Sequence, residues 1–459
     1  MAPQPASTQI LATYLATGYW RATGSPAISW DLSGSNVVTV NLSGLTAAGQ
    51  ALARHALDAW EAVANIRFSE VTVPARITFD DSSTGAITNV RMTSAGDLRS
   101  AHVNIGTDWL SRHGTHLGSY SFQTYIHEIG HALGLGHPGT YGGGAAYGDA
   151  TFTIDSWQQT VMSYLDQNEN PVVAADKAYL LTPMMADILA IQMLYGRPGT
   201  TASARDTSYG LGGNSGTYLD VAMRGGGNGL AGRAVTIFDQ GGRDTINFAD
   251  DTRAQVMNLS AGTFSTVYGT AGNLGIAIGT TIENFVAGSG SDRVIGNAAA
   301  NRLDLRGGND SANGMAGNDV LLGGDGADQL LGHLGNDLLR GDGGADRLIG
   351  GAGDDVLQGG SGADRLAGDI GNDRLAGGTG IDVFIFSGGN DVVLDFENGV
   401  DTIVIDDALW GATPRTPDQL VKLGRVVDGD LLFSFAGGHS LRIENVTDAR
   451  MLLDDLLIV

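Results

Sequence analysis

Apolar residues recur along this chain with two helical or strand-like periods and one much longer one, and each marks a different kind of element. Over residues 46–64 (TAAGQALARHALDAWEAVA), Leu52, Ala56, Trp60 and Val63 fall three or four apart, one face of a 3.6-residue helix. Thr46 stands where a capping hydroxyl is wanted, so a helix is predicted there. A second helix is expected around Ile126, Ile129, Gly130 and Leu133, with Ser121 or Thr124 able to cap it. A third covers 182–196 (TPMMADILAIQMLYG), with Thr182 as cap, Pro183 in the first turn and Gly196 at the end. Its stripe of Met185, Ile188, Ile191, Met193 and Leu194 reads as core. Short β-branched or alternating runs, such as Val37–Val40 and Ile77–Phe79, read as strands. Residues 1–200 are therefore expected to form a mixed α and β domain.

In the second half the period becomes nine. Asp310, Asp319, Asp328, Asp337, Asp346, Asp355, Asp364, Asp373 and Asp382 follow one another without a slip. Two residues before each stands a glycine: Gly308, Gly317, Gly326, Gly335, Gly344, Gly353, Gly362, Gly371 and Gly380. Two residues after each, from Asp319 on, stands an apolar side chain: Leu321, Leu330, Leu339, Leu348, Leu357, Leu366, Leu375 and Phe384. The register runs back to Asp292, preceded by Gly288 and Gly290, with Asn301 and Ala299 as an imperfect rung between. This is the RTX nonapeptide, a calcium-binding repeat. Glycine lets the backbone turn at positive φ and expose carbonyl oxygens. The aspartate adds a hard anionic oxygen, and an all-oxygen ligand set suits Ca²⁺. The apolar residue sits on a short strand facing a narrow core, so stacked turns predict a right-handed parallel β-roll. A flexible Gly/Asp linker would need neither the phase nor a leucine every ninth residue. Met315, His333, Asp342 and Asp369 replace the second glycine of their repeats, Arg306 breaks the pattern before Asp310, and Ala312 weakens its apolar rung. Weak or absent calcium binding is expected at some of these half-sites.

The chemistry of the first half is concentrated in HEIGHALGLGHP at His127–Pro138. Residues four apart share a helix face, so His127 and His131 can address one metal ion. Glu128 lies about 100° round the axis, near the metal without binding it. Gly134 can end the helix in a left-handed conformation and bring His137 round as a third nitrogen. Three protein ligands with a fourth position open for water mark a catalytic zinc site. A bare HExxH also arises on ordinary amphipathic helices, but Gly134 and His137 complete the extended metzincin pattern. Thr160-Val161-Met162-Ser163-Tyr164 follows at a suitable distance, and Met162 suits the apolar floor of a methionine turn.

Through His137-Pro138, Met162-Ser163-Tyr164, the Leu-Tyr-Gly end of the third helix and the nonapeptides, the chain resembles the serralysin family of secreted zinc endopeptidases. The resemblance implies an α+β metzincin catalytic domain over 1–200 and an all-β parallel β-roll (RTX) over 201–385. It implies a terminal strand region over 386–459 that carries a type I secretion signal. One zinc would be held by His127, His131 and His137. Tyr164 would be an extra ligand at rest that swings away on substrate binding and stabilises the oxyanion. Further calcium ions are implied at Asp239, Gly241, Gly242, Asp244, Thr281 and Glu283, and at Arg205, Asp206 and Ser208. Asp395 and Asp401 match the family's terminal calcium-linked strands. The 141–150 stretch would rim the cleft.

Charge and cysteine content sharpen this picture. Fifty acidic against 26 basic residues give a net charge of −24, and there is no cysteine. Many of the carboxylates sit in the repeats, where without cations they repel one another. Calcium is thus expected to stabilise the fold in place of disulfides. Acidity argues against nucleic acid as a partner, and no stretch is long enough to span a membrane. The N-terminal MAPQPASTQILATYLATGYW does not read as a Sec signal peptide. The C-terminal Asp454-Asp455-Leu456-Leu457-Ile458-Val459 suits either a type I secretion signal, read by an ABC transporter, or a last buried strand. The expected partners are protein and peptide substrates, the secretion apparatus and a small protein inhibitor, with the chain a secreted monomer. The rival expectation is a calcium-folded surface or matrix protein with an inert peptidase domain. A toxin or lipase is disfavoured, with no pore-forming apolar region and no G-x-S-x-G elbow. His55 and His102 read as ordinary packed or surface residues, while His113 and His116 lie nearer the metal motif.

Overall fold

The computed structural model describes residues 3–72, 74–199, 202–224, 229–410 and 415–459. The chain divides into two compact units, Met1–Gly242 with Ala261–Thr280, and Arg243–Ser260 with Thr281–Val459. The expected boundary at residues 200 and 201 lies outside the described residues. The first unit continues past it because Arg233–Ile237 pairs in parallel with both Tyr179–Leu180 and Thr270–Ile276. The roll and the terminal strands, expected as separate regions, fall in the one second unit.

The first unit is built on a five-stranded sheet in the order Arg67–Glu70, Val37–Gly44, Ile77–Asp80, Leu98–Ile105, Ala86–Met92. The first four are parallel, and Ala86–Met92 closes one edge antiparallel to its neighbour. The helix Ala47–Glu61 starts as the sequence predicts, with Thr46 Oγ1 accepting from Gly49 N at 3.3 Å, and ends earlier than residue 64. It buries Leu52, Ala56 and Trp60, and Trp60 Nε1 donates to Ile126 O (3.1 Å) on the helix Tyr120–Ala132. That helix is capped by Ser119, whose hydroxyl accepts from Phe122 N at 3.2 Å. Ser121 and Thr124 are buried inside it rather than capping it, because the apolar face extends a turn further back than the pattern indicated. The third predicted helix begins at Met185, not at Thr182. Its start is set by Asp187, which accepts from Met184 N at 2.8 Å, so a carboxylate within the first turn replaces the expected Thr182 cap. An N-terminal helical stretch from Thr8 to Ala22 has no counterpart in the sequence reading. Its apolar stripe is short (Leu11, Ala12, Leu15, Ala16, all fully buried), and Thr13 and Thr17 bond back to carbonyls four residues earlier, a residue type that reads as neutral in helices.

In the second unit the nine-residue repeats become strands that alternate between two parallel sheets. Ser311–Ala316, Gln329–Leu334, Arg347–Ala352 and Arg365–Ile370 pair in sequence within one. Val320–Asp325, Leu338–Gly343, Val356–Gly362 and Arg374–Gly380 do so within the other. Repeats two apart are therefore neighbours, and the leucines from Leu321 to Leu366 lie fully buried between the sheets. The glycine before each aspartate is obligatory: Gly335 has φ 126°, and a Cβ there would meet Gly317 O at 1.7 Å. The irregular repeats keep the same turn. Arg306, Met315, His333, Asp342 and Asp369 adopt φ of 68°, 80°, 77°, 70° and 69°, in the left-handed region where each non-glycine residue is strained by about 1–2 kcal/mol. Beyond the roll, Leu456–Ile458 adds as a parallel strand to Thr402–Ile405, an arrangement compatible with either reading of the C-terminal segment. Among the described residues no helix is long and apolar enough to cross a membrane.

Candidate metal centre

The helix Tyr120–Ala132 ends in a Schellman motif. Gly134 has φ 102°, Gly134 N donates to His131 O (3.0 Å), and Leu135 N donates to Gly130 O (3.0 Å). A Cβ on Gly134 would meet Ile28 O at 2.2 Å, and Trp20 Nε1 donates to Gly134 O at 2.8 Å. Glycine is thus needed both for the turn and for the close approach of neighbouring backbone. The reversal places His137 opposite the helix. His131 Nε2 lies 3.1 Å from His127 Nε2 and 3.0 Å from His137 Nε2.

These three nitrogens fit a zinc ion. Tetrahedral ligands about 2.0–2.1 Å from zinc lie about 3.4 Å apart, close to the spacing observed. The far nitrogens of two rings are fixed: His127 Nδ1 bonds Val161 O at 2.7 Å, and His131 Nδ1 bonds Leu135 O at 2.8 Å. A ring that donates from Nδ1 presents an unprotonated Nε2, the form a metal requires. Burial, and secondarily the neighbouring His127, pushes His131 down to about 3. His137 is driven down further by burial and the two other rings. His131 and His137 are thereby held neutral. With His127 they form a group of side chains able to hold a metal ion among the described residues.

Glu128 is 7% exposed, and its Oε2 is buried without a hydrogen-bond partner among the described residues. Burial raises its pKa, opposed by His127 and Thr88. It lines a pocket with His127, Tyr164, Trp109, Tyr120 and Trp157. Tyr164 stacks against His137 with centroids 4.6 Å apart, and burial followed by Glu128 pushes its phenol up to about 12. Met162 is fully buried beneath Gly130, where a Cβ would approach its Sδ to 2.6 Å. His113 stacks on Trp109 and His116 bonds its neighbour's carbonyl. His55 and His102 pair with Asp58 and Asp80 away from the site.

Two buried carboxylates near the methionine turn escaped the sequence reading. Asp187 accepts from Thr160 Oγ1 (2.5 Å), Val161 N (2.7 Å) and Met184 N (2.8 Å), and burial raises it to about 7 against those bonds. Asp155 accepts from Ser163 Oγ (2.6 Å) and from Tyr141 Oη. Neither lies in a motif; both are defined by long-range contacts.

In the roll each aspartate Oδ1 accepts from the backbone N of the rung eighteen residues earlier, as in Asp310 N to Asp328 Oδ1 at 2.8 Å. Its Oδ2 is buried and has no hydrogen-bond partner among the described residues from Asp310 to Asp382, and likewise at Asp292. The ladder runs one rung beyond its predicted end. Asp391, nine residues after Asp382, shares both features, and the spacing alone could have found it. A Cβ on Gly332 would meet Asp337 Oδ2 at 2.2 Å and Gly350 O at 2.6 Å, so a carboxylate and a carbonyl oxygen converge with no donor between them. That donor-free, oxygen-only set fits calcium.

The remaining expected calcium residues vary. Asn301 keeps the rung's backbone bond to Asp319 (2.7 Å), but its Oδ1 already accepts from Asn297 N (2.8 Å), while its amide donates to Glu283 O (3.1 Å) and Asn297 Oδ1 (3.2 Å). A Cβ on Gly288 would meet Asp251 O at 1.7 Å, and one on Gly290 would meet Arg253 O at 2.4 Å. Asp395 accepts from Gly377 N and Gly378 N, and Asp401 from Asp382 N and Glu397 N. Asp239 accepts from Gly241 N and Tyr209 Oη. Asp244 N donates to Glu283 Oε2 at 2.7 Å, and Thr281 is exposed. Gly242 approaches the Arg205–Asp206 backbone closely, while Ser208 N bonds Asn214 Oδ1.

Residues 200–412 match the family described as Peptidase M10 serralysin C terminal. A metallopeptidase AprA of Pseudomonas marginalis is 34% identical over 64% of this chain and 65% of its own length. A metalloprotease AprA of Pseudomonas entomophila is 43% identical over 40% of this chain and 39% of its own. A serralysin of Photorhabdus laumondii is 37% identical over 57% and 55%. The chain thus spans between 39% and 65% of the length of these relatives. The crystal structure of an extracellular lipase LipA from Serratia marcescens, at 20% identity, covers 38% of this chain and 40% of its own with a TM-score of 0.17, too low to bear on the fold. The chain is similar to these serralysins over part of their length, and its residues 200–412 match the serralysin C-terminal family.

Proposed function

We propose that this protein is a secreted zinc endopeptidase that hydrolyses proteins and peptides and whose C-terminal roll folds on calcium. The reading rests on one observation above all: three Nε2 atoms converge beside a buried carboxylate, one oxygen of which has no hydrogen-bond partner among the described residues. Zinc held by His127, His131 and His137 would supply Lewis acidity to water and to the scissile carbonyl. Glu128, raised by burial, accepts the proton of the attacking water and returns it to the leaving amine. Tyr164, held protonated at neutral pH by its raised pKa, donates to the developing oxyanion. The edge strand Ala86–Met92 leaves one side of its backbone unpaired within the five-stranded sheet. Its Thr88 Oγ1 bonds Glu128 O at 2.9 Å, so an extended substrate can add there as a further strand next to the catalytic carboxylate.

Calcium at the Asp310–Asp382 rungs would neutralise the unpartnered oxygens, and a low-calcium cytosol would leave the roll unfolded until the chain is exported. The test is casein hydrolysis: activity abolished by a zinc chelator and restored by Zn²⁺ supports the reading. A folded, zinc-replete protein that leaves casein intact points instead to a calcium-folded structural protein.

A further inference from the structure

Asp187 has no role in the chemistry above, yet it is fully buried and has no cationic partner among the described ion pairs. Among the described residues its carboxyl group is met by three hydrogen-bond donors, two of them on the segment that underlies the three histidines. Oδ1 takes the Thr160 hydroxyl, and Oδ2 takes the Val161 amide together with Met184 N at its own helix start. Thr160 Oγ1 in turn accepts from Met162 N at 3.0 Å. The carbonyl of Val161 receives Nδ1 of His127 at 2.7 Å. One carboxylate therefore fixes, through consecutive residues, the acceptor that orients the first zinc ligand and the methionine beneath the site. Such outer contacts of metal ligands commonly change metal affinity by about 10–100-fold when removed.

We propose that Asp187 is a positioning residue for the metal centre: by holding Thr160 and Val161 it aims His127 and so sets zinc affinity. The inference rests on the zinc reading of the three histidines. It does not depend on the ionised state of Asp187, since an asparagine can keep every contact. Its carbonyl oxygen would serve Val161 N and Met184 N, and its amide would donate to the Thr160 hydroxyl, which accepts as well as donates.

The test uses the full chain in calcium, with zinc affinity measured by chelator competition and ligand geometry by the d–d spectrum of the Co²⁺-loaded protein. Asp187→Asn should bind zinc within about threefold of wild type with an unchanged cobalt spectrum. Asp187→Ala should weaken zinc by at least about tenfold and alter the spectrum. If Asp187→Ala does not fold, Thr160→Val serves instead, removing one anchor while keeping shape, and should weaken zinc by a smaller but measurable factor. A folded Asp187→Ala, or Thr160→Val in its place, with wild-type zinc affinity and spectrum overturns the proposal. His127→Ala is the control: if it too leaves zinc binding unchanged, the failure lies with the zinc site itself.

Discussion

Removing calcium at neutral pH should unfold the roll, and acid should partly restore it. In the folded chain the rung aspartates are at most 2% exposed, and burial raises them, relieved in part by one backbone bond each. Asp328, Asp346, Asp364, Asp373 and Asp382 rise from 3.8 to about 6; Asp310, Asp319 and Asp355 reach about 7, and Asp391 about 8. A rise from 3.8 to about 6 opposes folding by about 3 kcal/mol per ionised group at pH 7. About five such groups already equal the 5–15 kcal/mol that holds a typical domain, even after generous allowance for non-additivity. Because these folded-state pKa values are raised, the calcium-free fold is favoured below about pH 4 and loses stability as pH rises through 6 to 8. A divalent cation at the unpartnered oxygens removes the penalty at neutral pH. Hydrogen–deuterium exchange of peptides spanning 311–386, corrected for intrinsic pH effects, reads this directly. Protection is expected at pH 7.5 with about 10⁻³ M calcium, loss of protection after calcium removal, and partial recovery at pH 5 without calcium. Protection at pH 7.5 that is indifferent to calcium would refute the reasoning.

Three further outcomes are expected. Gly130→Ala places a methyl within 2.6 Å of Met162 Sδ and 3.2 Å of Trp60; overpacking should destabilise by about 1–3 kcal/mol, seen as a lower urea midpoint. His333→Gly releases left-handed strain at φ 77°. It should stabilise the calcium-loaded protein by about 0.5–1 kcal/mol after the entropy of glycine is subtracted, so a fall in the calorimetric midpoint would contradict the strain argument. Tyr164→Phe should lower kcat about 10²-fold with KM little changed; equal loss in both would place Tyr164 in substrate binding instead.

Short-range patterns carried most of what the sequence revealed. The His127–His137 spacing, Gly134 and the nine-residue ladder are local rules, so they could be read without a fold. The helix boundaries were less legible because competing caps were equivalent in sequence: Ser119, Ser121 and Thr124 differ only in where the apolar face begins, and Asp187 replaced Thr182 through a first-turn contact. The buried carboxylates Asp155 and Asp187 were silent for a different reason. Their partners Tyr141, Ser163, Thr160 and Val161 lie 8–27 residues away, and nothing about an isolated aspartate announces three buried donors. Asn301 shows the converse. It keeps the rung's phase, yet its Oδ1 accepts from Asn297 N, so period alone does not tell an aspartate with an open oxygen from a neutral amide that is already bonded.

The central claim, that three histidines hold zinc while Glu128 moves the proton, is tested most directly by one preparation of Glu128→Ala assayed for zinc content and casein turnover together. One zinc per chain, a wild-type melting profile and turnover reduced by at least about 10²–10⁴-fold are predicted. Turnover near wild type with zinc bound would contradict it.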